Sequence, residues 1–319
     1  MSADPLETHY GLLTDALQRG SLVPFLGAGA NLCGRPPEAT HGKGGYLPSG
    51  AELASYLARH YPPGEPRDLL RVAQFVLVKL GSGPLYAQLR DLFDADYPIT
   101  DLHRFLAAVP GLLRARGCRN PNLLVMTTNY DDLLEQAFAA AGESCDVVWY
   151  VADGDHRGKF RHRPPGGETQ LISKPNEYGA LSLNERSVVL KIHGAVSRDN
   201  ANDDSYVITE DHYIDYLTRA DIANLIPVTL AAKIRMSHFL FMGYSLADWN
   251  MRVILHRIWG GQQLSYKSWA IQRDPDELDI EFWRKRDVDI LDRDIAQYVN
   301  ELRVRLEALP VAATTKAVG

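Results

Sequence analysis

The chain has 319 residues, 45% hydrophobic and 23% charged, and its 34 basic and 40 acidic side chains leave a net charge of −6. This length buries a sizeable core without disulfide or metal staples, and the acidic balance argues against a dedicated nucleic-acid binder, which carries a basic excess. Cys33, Cys118 and Cys145 stand far apart with no CxxC pair, so they make no four-thiolate zinc site and suit a reducing compartment.

The opening MSADPLETHYGLL lacks an apolar signal core, and no run reaches the roughly 18 apolar residues of a membrane span. A cytoplasmic protein is therefore expected. LVPFL (22–26) then reads as a strand apolar on both faces, as in a covered parallel sheet. It ends in Gly27-Ala28-Gly29-Ala30-Asn31. Residues 50–116 follow with apolar side chains at helical spacing in GAELASYLARHY, RDLLRVAQFVLVKL and PLYAQLRDLFD, and Ser49 with Glu52 forms a capping-box pattern. That is too much helix for one crossover, so an inserted helical lobe is expected.

NLLVMT (122–127) is a second buried strand, followed by Thr128-Asn129-Tyr130-Asp131-Asp132 and the helix LLEQAFAAA. Residues 152–186 are rich in Gly, Pro and charge, and read as a functional loop or a partly ordered hairpin. SVVLKI (187–192) leads to His193-Gly194, and HFLFM (238–242) to Gly243-Tyr244-Ser245-Leu246-Ala247-Asp248 and a further helix. SWAIQ (268–272) and DVDIL (287–291) are weaker strands, and 309–319 reads as a flexible tail after a single domain over 1–308. Strands alternating with helices predict an α/β fold, a Rossmann-like parallel sheet flanked by helices.

Carboxyl ends of parallel strands share one edge, where ligands bind. Four such ends here gather glycines, amides, carboxylates and a histidine. Each has a plainer reading: Asn129 with Asp132 and Ser245 with Asp248 suit helix starts, and His193 suits a buried histidine. Glu52, 23 residues after Gly29, could be a ribose-binding acid or only the cap. Together they fit one crevice: glycines and amides around a pyrophosphate, Asn129 and Asp131 on hydroxyls or an amide, and His193 for proton transfer.

FLGAGAN, TTNYDDLLE, KIHGAV and FLFMGYSLADWN, in that order over about 20–260, resemble the sirtuin-like superfamily, and most of all the bacterial sirtuin-like domains of anti-phage defence. The resemblance implies a Rossmann-like domain that binds NAD as substrate, with Gly27, Ala28, Gly29, Asn31, Thr128, Asp131, Gly243, Tyr244, Ser245 and Asp248 on the dinucleotide. Asn129 would hold the nicotinamide-side ribose or a water, Asp131 the carboxamide, and His193 would be the general base. The chain departs from the deacylases in lacking both their four-cysteine zinc ribbon and the Asp-Phe-Arg element after the glycine loop. No zinc or other metal is expected.

These departures favour an NAD+ glycohydrolase over an NAD-dependent deacylase or ADP-ribosyltransferase, with a non-catalytic NAD or ADP-ribose binding module as a third reading. The resemblance further implies a homo-oligomer, a latent activity, and a separately encoded ATPase or nucleic-acid sensor as partner. The stretch His156 to Arg163 interleaves cations with Phe160 and reads as a solvated loop or gate before a nucleic-acid contact. Trp249, Trp259, Trp269 and Trp283 are expected mainly in the core.

Overall fold

In the computed structural model the described residues are 4–60, 68–218, 222–244, 255, 258 and 266–311. Their centre is a nine-stranded sheet. Its strands are β1 (Leu22–Leu26), β2 (Leu124–Thr127), β3 (Cys145–Tyr150), β4 (Phe160–Arg163), β5 (Gln170–Ile172), β6 (Ser187–Lys191), β9 (His238–Met242), β10 (Ser268–Gln272) and β11 (Val288–Asp292). The spatial order is β11-β10-β9-β1-β2-β6-β3-β4-β5. From β11 to β3 all neighbours are parallel, and β4 and β5 extend the sheet antiparallel. A separate ribbon pairs β7 (Gly194–Ala195) with β8 (Ser205–Tyr206).

The apolar runs explain the layering. Along β1, Val23 and Phe25 face one core while Leu22 and Leu26 face the other, so helices must cover both sides. One cover consists of α1 (Pro5–Gln18), α5 (Asp101–Ala115), α6 (Leu133–Ala140) and α11 (Ile295–Glu307); the other includes α7 (Glu210–Thr218), α8 (Ile222–Leu225), α9 (Val228–Arg235) and α10 (Glu277–Arg284). Pro24 lies in a central strand, where proline is rarely tolerated. It lacks the N–H a ladder needs: β1 pairs with β9 along its whole length, but with β2 only from Phe25 onward.

The helix-rich stretch divides in two. α2 (Gly50–Leu57), α3 (Leu69–Leu80) and α4 (Ser82–Phe93) enclose their own apolar cluster, with Leu53, Val72, Val76, Leu85 and Leu89 buried. α5, by contrast, packs on the sheet with α6 and α11 through Leu102, Phe105, Leu106 and Leu113. The irregular 152–186 stretch contains the β4–β5 hairpin. Arg161 there is paired with Asp203, Arg163 with Asp199 at 2.8 Å and Arg157 with Asp215 at 3.7 Å. Its cations are thus largely met by acids of the same chain, which weakens the nucleic-acid reading. Trp269 and Trp283 are buried core residues, whereas Trp249 and Trp259 lie outside the described residues.

Candidate functional site

From β1 the chain runs outward in one direction across the sheet to β2 and in the other to β9, so the crevice of such a sheet opens between the ends of β1 and β9. There the two loops interlock by backbone. Gly27 N–H donates to Met242 O at 3.0 Å, and Gly29 N–H to Gly243 O at 2.9 Å. A Cβ on Gly29 would stand 2.9 Å from Gly243 Cα, and Gly243, at φ +74°, would drive its own Cβ into the backbone of Gly29 and Ala30. Glycine is required at these positions first by the other loop, before any ligand is considered. Tyr244 seals the junction, with its ring 5.4 Å from Phe25 and its hydroxyl on Thr128 Oγ1.

The loop after β2 is fixed next. Thr127 Oγ1 donates to Leu26 O at 3.0 Å and accepts from Asn129 N–H at 2.9 Å, and Asn129 Nδ2 donates to Gly27 O at 3.2 Å. Asn129 therefore does not cap α6. The N-cap is Asp132, which makes no side-chain cap bond, and the Oδ1 of Asp131 accepts from Leu133 N–H at 3.2 Å. Its Oδ2 accepts from Asn31 Nδ2 at 2.8 Å. A carboxylate is an acceptor only, so the amide must turn its nitrogen to Asp131. Asn31 Oδ1 is left buried without a hydrogen-bond partner among the described residues.

Beneath this loop Lys191 is fully buried, its ammonium on Asp131 O and 2.6 Å from Glu135 Oε1. Burial pushes the Glu135 carboxyl up, against the pull of that lysine. His193, two residues along, is 5% exposed, and desolvation lowers its pKa to about 3. The ring is thus neutral at pH 7 and is not tuned toward the pKa near 6.5 of a free imidazole. Its Nε2 is buried with no hydrogen-bond partner among the described residues.

Ala28, Asn31, Thr128, Asn129, Asp131, His193, Gly243 and Tyr244 all line one cavity of about 330 Å³. The lobe closes it with Ser49, Leu53, Leu69 and Phe93, and α7 with Tyr213. A second cavity of about 700 Å³ shares Ser49, Gly243 and Tyr244 with it and is lined also by Gly29, Arg35, Glu52, Gln272, Arg273, Arg293 and Asp294. The Ser49–Glu52 capping box is present. Its carboxylate accepts from Ser49 N–H at 2.8 Å and from both terminal nitrogens of Arg35, which holds it down to about 2. Ser245 and Asp248 lie outside the described residues. Cys33, Cys118 and Cys145 are free thiols, and among the described residues no three His, Cys, Asp or Glu side chains form a group that could hold a metal ion.

Gln272, Arg273, Arg293 and Asp294 were not foreseen, although a signal existed: Gln272 ends β10 and Arg273 follows it, while Arg293 and Asp294 follow β11, and the strand-end rule applies equally to these two weaker strands. Tyr213 had no such signal, being one of several tyrosines on a helix.

A family model described as a SIR2-like domain matches residues 123–291, just over half of the chain. The chain belongs to the SIR2-like family. The match spans β2 to β11, and thus Asn129, Asp131, His193 and Gly243. Among curated proteins, this SIR2-like chain is 25% identical over 274 residues to "Defense-associated sirtuin 2" of Bacillus subtilis, covering 84% of this chain and 22% of that protein. It is 25% identical to "NAD(+) hydrolase ThsA" of Cytobacillus dafuensis, covering 60% of this chain and 30% of the relative. To the protein of the same name from Enterococcus faecium it is 27% identical, covering 77% and 41%. The chain spans less than half the length of each of these relatives.

Proposed function

We propose that this SIR2-like chain is an NAD+ glycohydrolase that releases nicotinamide and ADP-ribose, and that it serves anti-phage defence by depleting NAD. The relatives' names support the activity and the setting. The observation that carries the proposal is the smaller cavity, where unpartnered polar atoms of two buried residues, Asn31 Oδ1 and His193 Nε2, border a lining whose one carboxylate is Asp131 and which has no Lys or Arg among the described residues. Cleavage of the nicotinamide–ribose bond builds positive charge on the ribose. A pocket lined by one carboxylate and no cation among the described residues tolerates that charge, whereas a cationic one would oppose it.

In this reading Asn129 orients the ribose or the attacking water, and the Asn31–Asp131 pair takes the carboxamide, with Asn31 Oδ1 accepting from its NH₂. The C1′–N bond breaks, its electron pair leaving with neutral nicotinamide. A water oxygen bonds to C1′ and gives up its proton, for which His193 Nε2 is the acceptor. The larger cavity, with Arg35, Arg273 and Arg293, holds the anionic AMP half beside the Gly27–Gly29 loop. Ser245 and Asp248 stay in the proposed dinucleotide contact set.

Residues 1–308 act as one NAD-binding domain, and helices α2–α4 are an insertion that walls the reaction cavity. We further read the protein as cytoplasmic and homo-oligomeric, kept latent until a separately encoded ATPase or nucleic-acid sensor releases it. Among the described residues no helix is long and apolar enough to cross a membrane.

The test is nicotinamide release from NAD, with and without an acyl-lysine peptide. Peptide-independent release that is lost in His193→Ala supports hydrolysis. Release only with peptide would indicate deacylation, and binding without release a module. Mass measurement with and without nucleotide checks the oligomer.

A further inference from the structure

His193 makes one side-chain hydrogen bond among the described residues, and that bond leads to α7. Thr209 caps this helix, its Oγ1 accepting from His212 N–H at 3.1 Å. Tyr213 and Tyr216, three residues apart, share a face. Both rings meet the imidazole nearly at right angles, at 5.3 Å and 78° for Tyr213 and 5.6 Å and 85° for Tyr216. Two perpendicular contacts fix the plane of the imidazole. The Tyr213 hydroxyl lies 3.4 Å from Nδ1.

A neutral imidazole carries one proton, and its position decides which nitrogen can accept another. With the proton on Nε2, that nitrogen is a donor and cannot accept a proton from water. With the proton on Nδ1, Nε2 offers a lone pair. We propose that Tyr213 is the positioning residue of the site: its hydroxyl oxygen accepts the Nδ1 proton and holds His193 in the tautomer whose Nε2 carries the lone pair. The assignment rests on the reading of His193 as proton acceptor and deepens it.

The helix that carries Tyr213 is pinned from two sides. On the lobe side, Gln74 of α3 donates Nε2–H to Asp211 Oδ2 at 2.7 Å and accepts from Asp211 N–H at 3.1 Å. On the other, Arg157 of the stretch after β3 lies 3.7 Å from Asp215. Both insertions that set this chain apart from a bare sheet-and-helix unit therefore hold the helix that orients the histidine.

The test is the side-chain ¹⁵N spectrum of His193 in substrate-free protein, assigned by comparison with His193→Gln. The expected result is protonated Nδ1 and bare Nε2 in the wild type, and loss of that preference in Tyr213→Phe, which keeps the ring. In the same variant nicotinamide release should lose about tenfold in kcat with KM within about twofold. Protonated Nε2 in the wild type, or an identical spectrum in Tyr213→Phe, would overturn the assignment. Neither the wild-type nor the Tyr213→Phe spectrum needs substrate. Together they decide the role of Tyr213 even if the wild type releases no nicotinamide, a result that would count against the hydrolase reading alone.

Discussion

The two cavities on the carboxyl edge share Ser49, Gly243 and Tyr244 yet differ in character. The larger is ringed by Arg35, Arg273 and Arg293, set against Glu52 and Asp294. The smaller offers, among the described residues, amides, aromatic rings, a neutral imidazole and a single carboxylate. Cations that would help bind a pyrophosphate would hinder a reaction that makes a cation. On the proposed function the larger cavity binds and the smaller reacts, so binding and chemistry should respond to different substitutions.

The sharpest way to break this division is to remove its neutral half. Asn129→Ala and His193→Ala should each lower nicotinamide release at least ~100-fold in kcat while NAD still binds, as measured by single-turnover kinetics and calorimetry. Loss of binding with unchanged chemistry would reverse the assignment of the cavities.

Striking at the shared wall should damage both halves. Gly243→Ala drives a Cβ into Gly29 and Ala30 at positive φ, and is expected to lower the melting temperature by roughly 5–10 °C and abolish NAD binding. An unperturbed melt would mean that the loops are not locked together.

A milder effect belongs to the charged half. Arg293→Ala should raise KM about tenfold, the value of one charge-assisted contact, with kcat within about twofold. A fall in kcat alone would show that the charged half takes part in the chemistry.

The smallest effect is one of pH. His193 is held neutral down to about 3, so kcat/KM should show no His193 break near pH 6.5 (an inflection there would mean a tuned, solvated base). Stability should respond instead. His9 and His103 are lowered to about 4, and in the unfolded chain all three histidines take protons below about 6.5. The unfolded state therefore binds more protons between about 6.5 and 4. Stability is fully present above that window and falls as the pH drops through it, which denaturant titrations at several pH values would detect.

Much of this was legible from residue order. The double-faced apolar runs gave β1, β2, β6 and β9, and the residues just after them gave Asn129, Asp131, His193 and Gly243. What escaped was non-local. CDVVWY forms β3, but it sits just after a helix and before a Gly-rich stretch, and its pairing with β6 is what makes it a strand. Asp131 offered two carboxylate oxygens on paper, and only the fold shows both engaged, one by an asparagine a hundred residues away. His193 looked suited to titrate at neutral pH because sequence carries no measure of burial.

The interlocked glycines bear on movement as well as on shape. Where two strand ends touch backbone to backbone, with no side chain between them, the floor of the crevice has no slack to give. On the proposed function, any closing around NAD would come from its walls, the α2–α4 lobe and α7, and a signal that acts on either wall would reach the chemistry without disturbing the sheet.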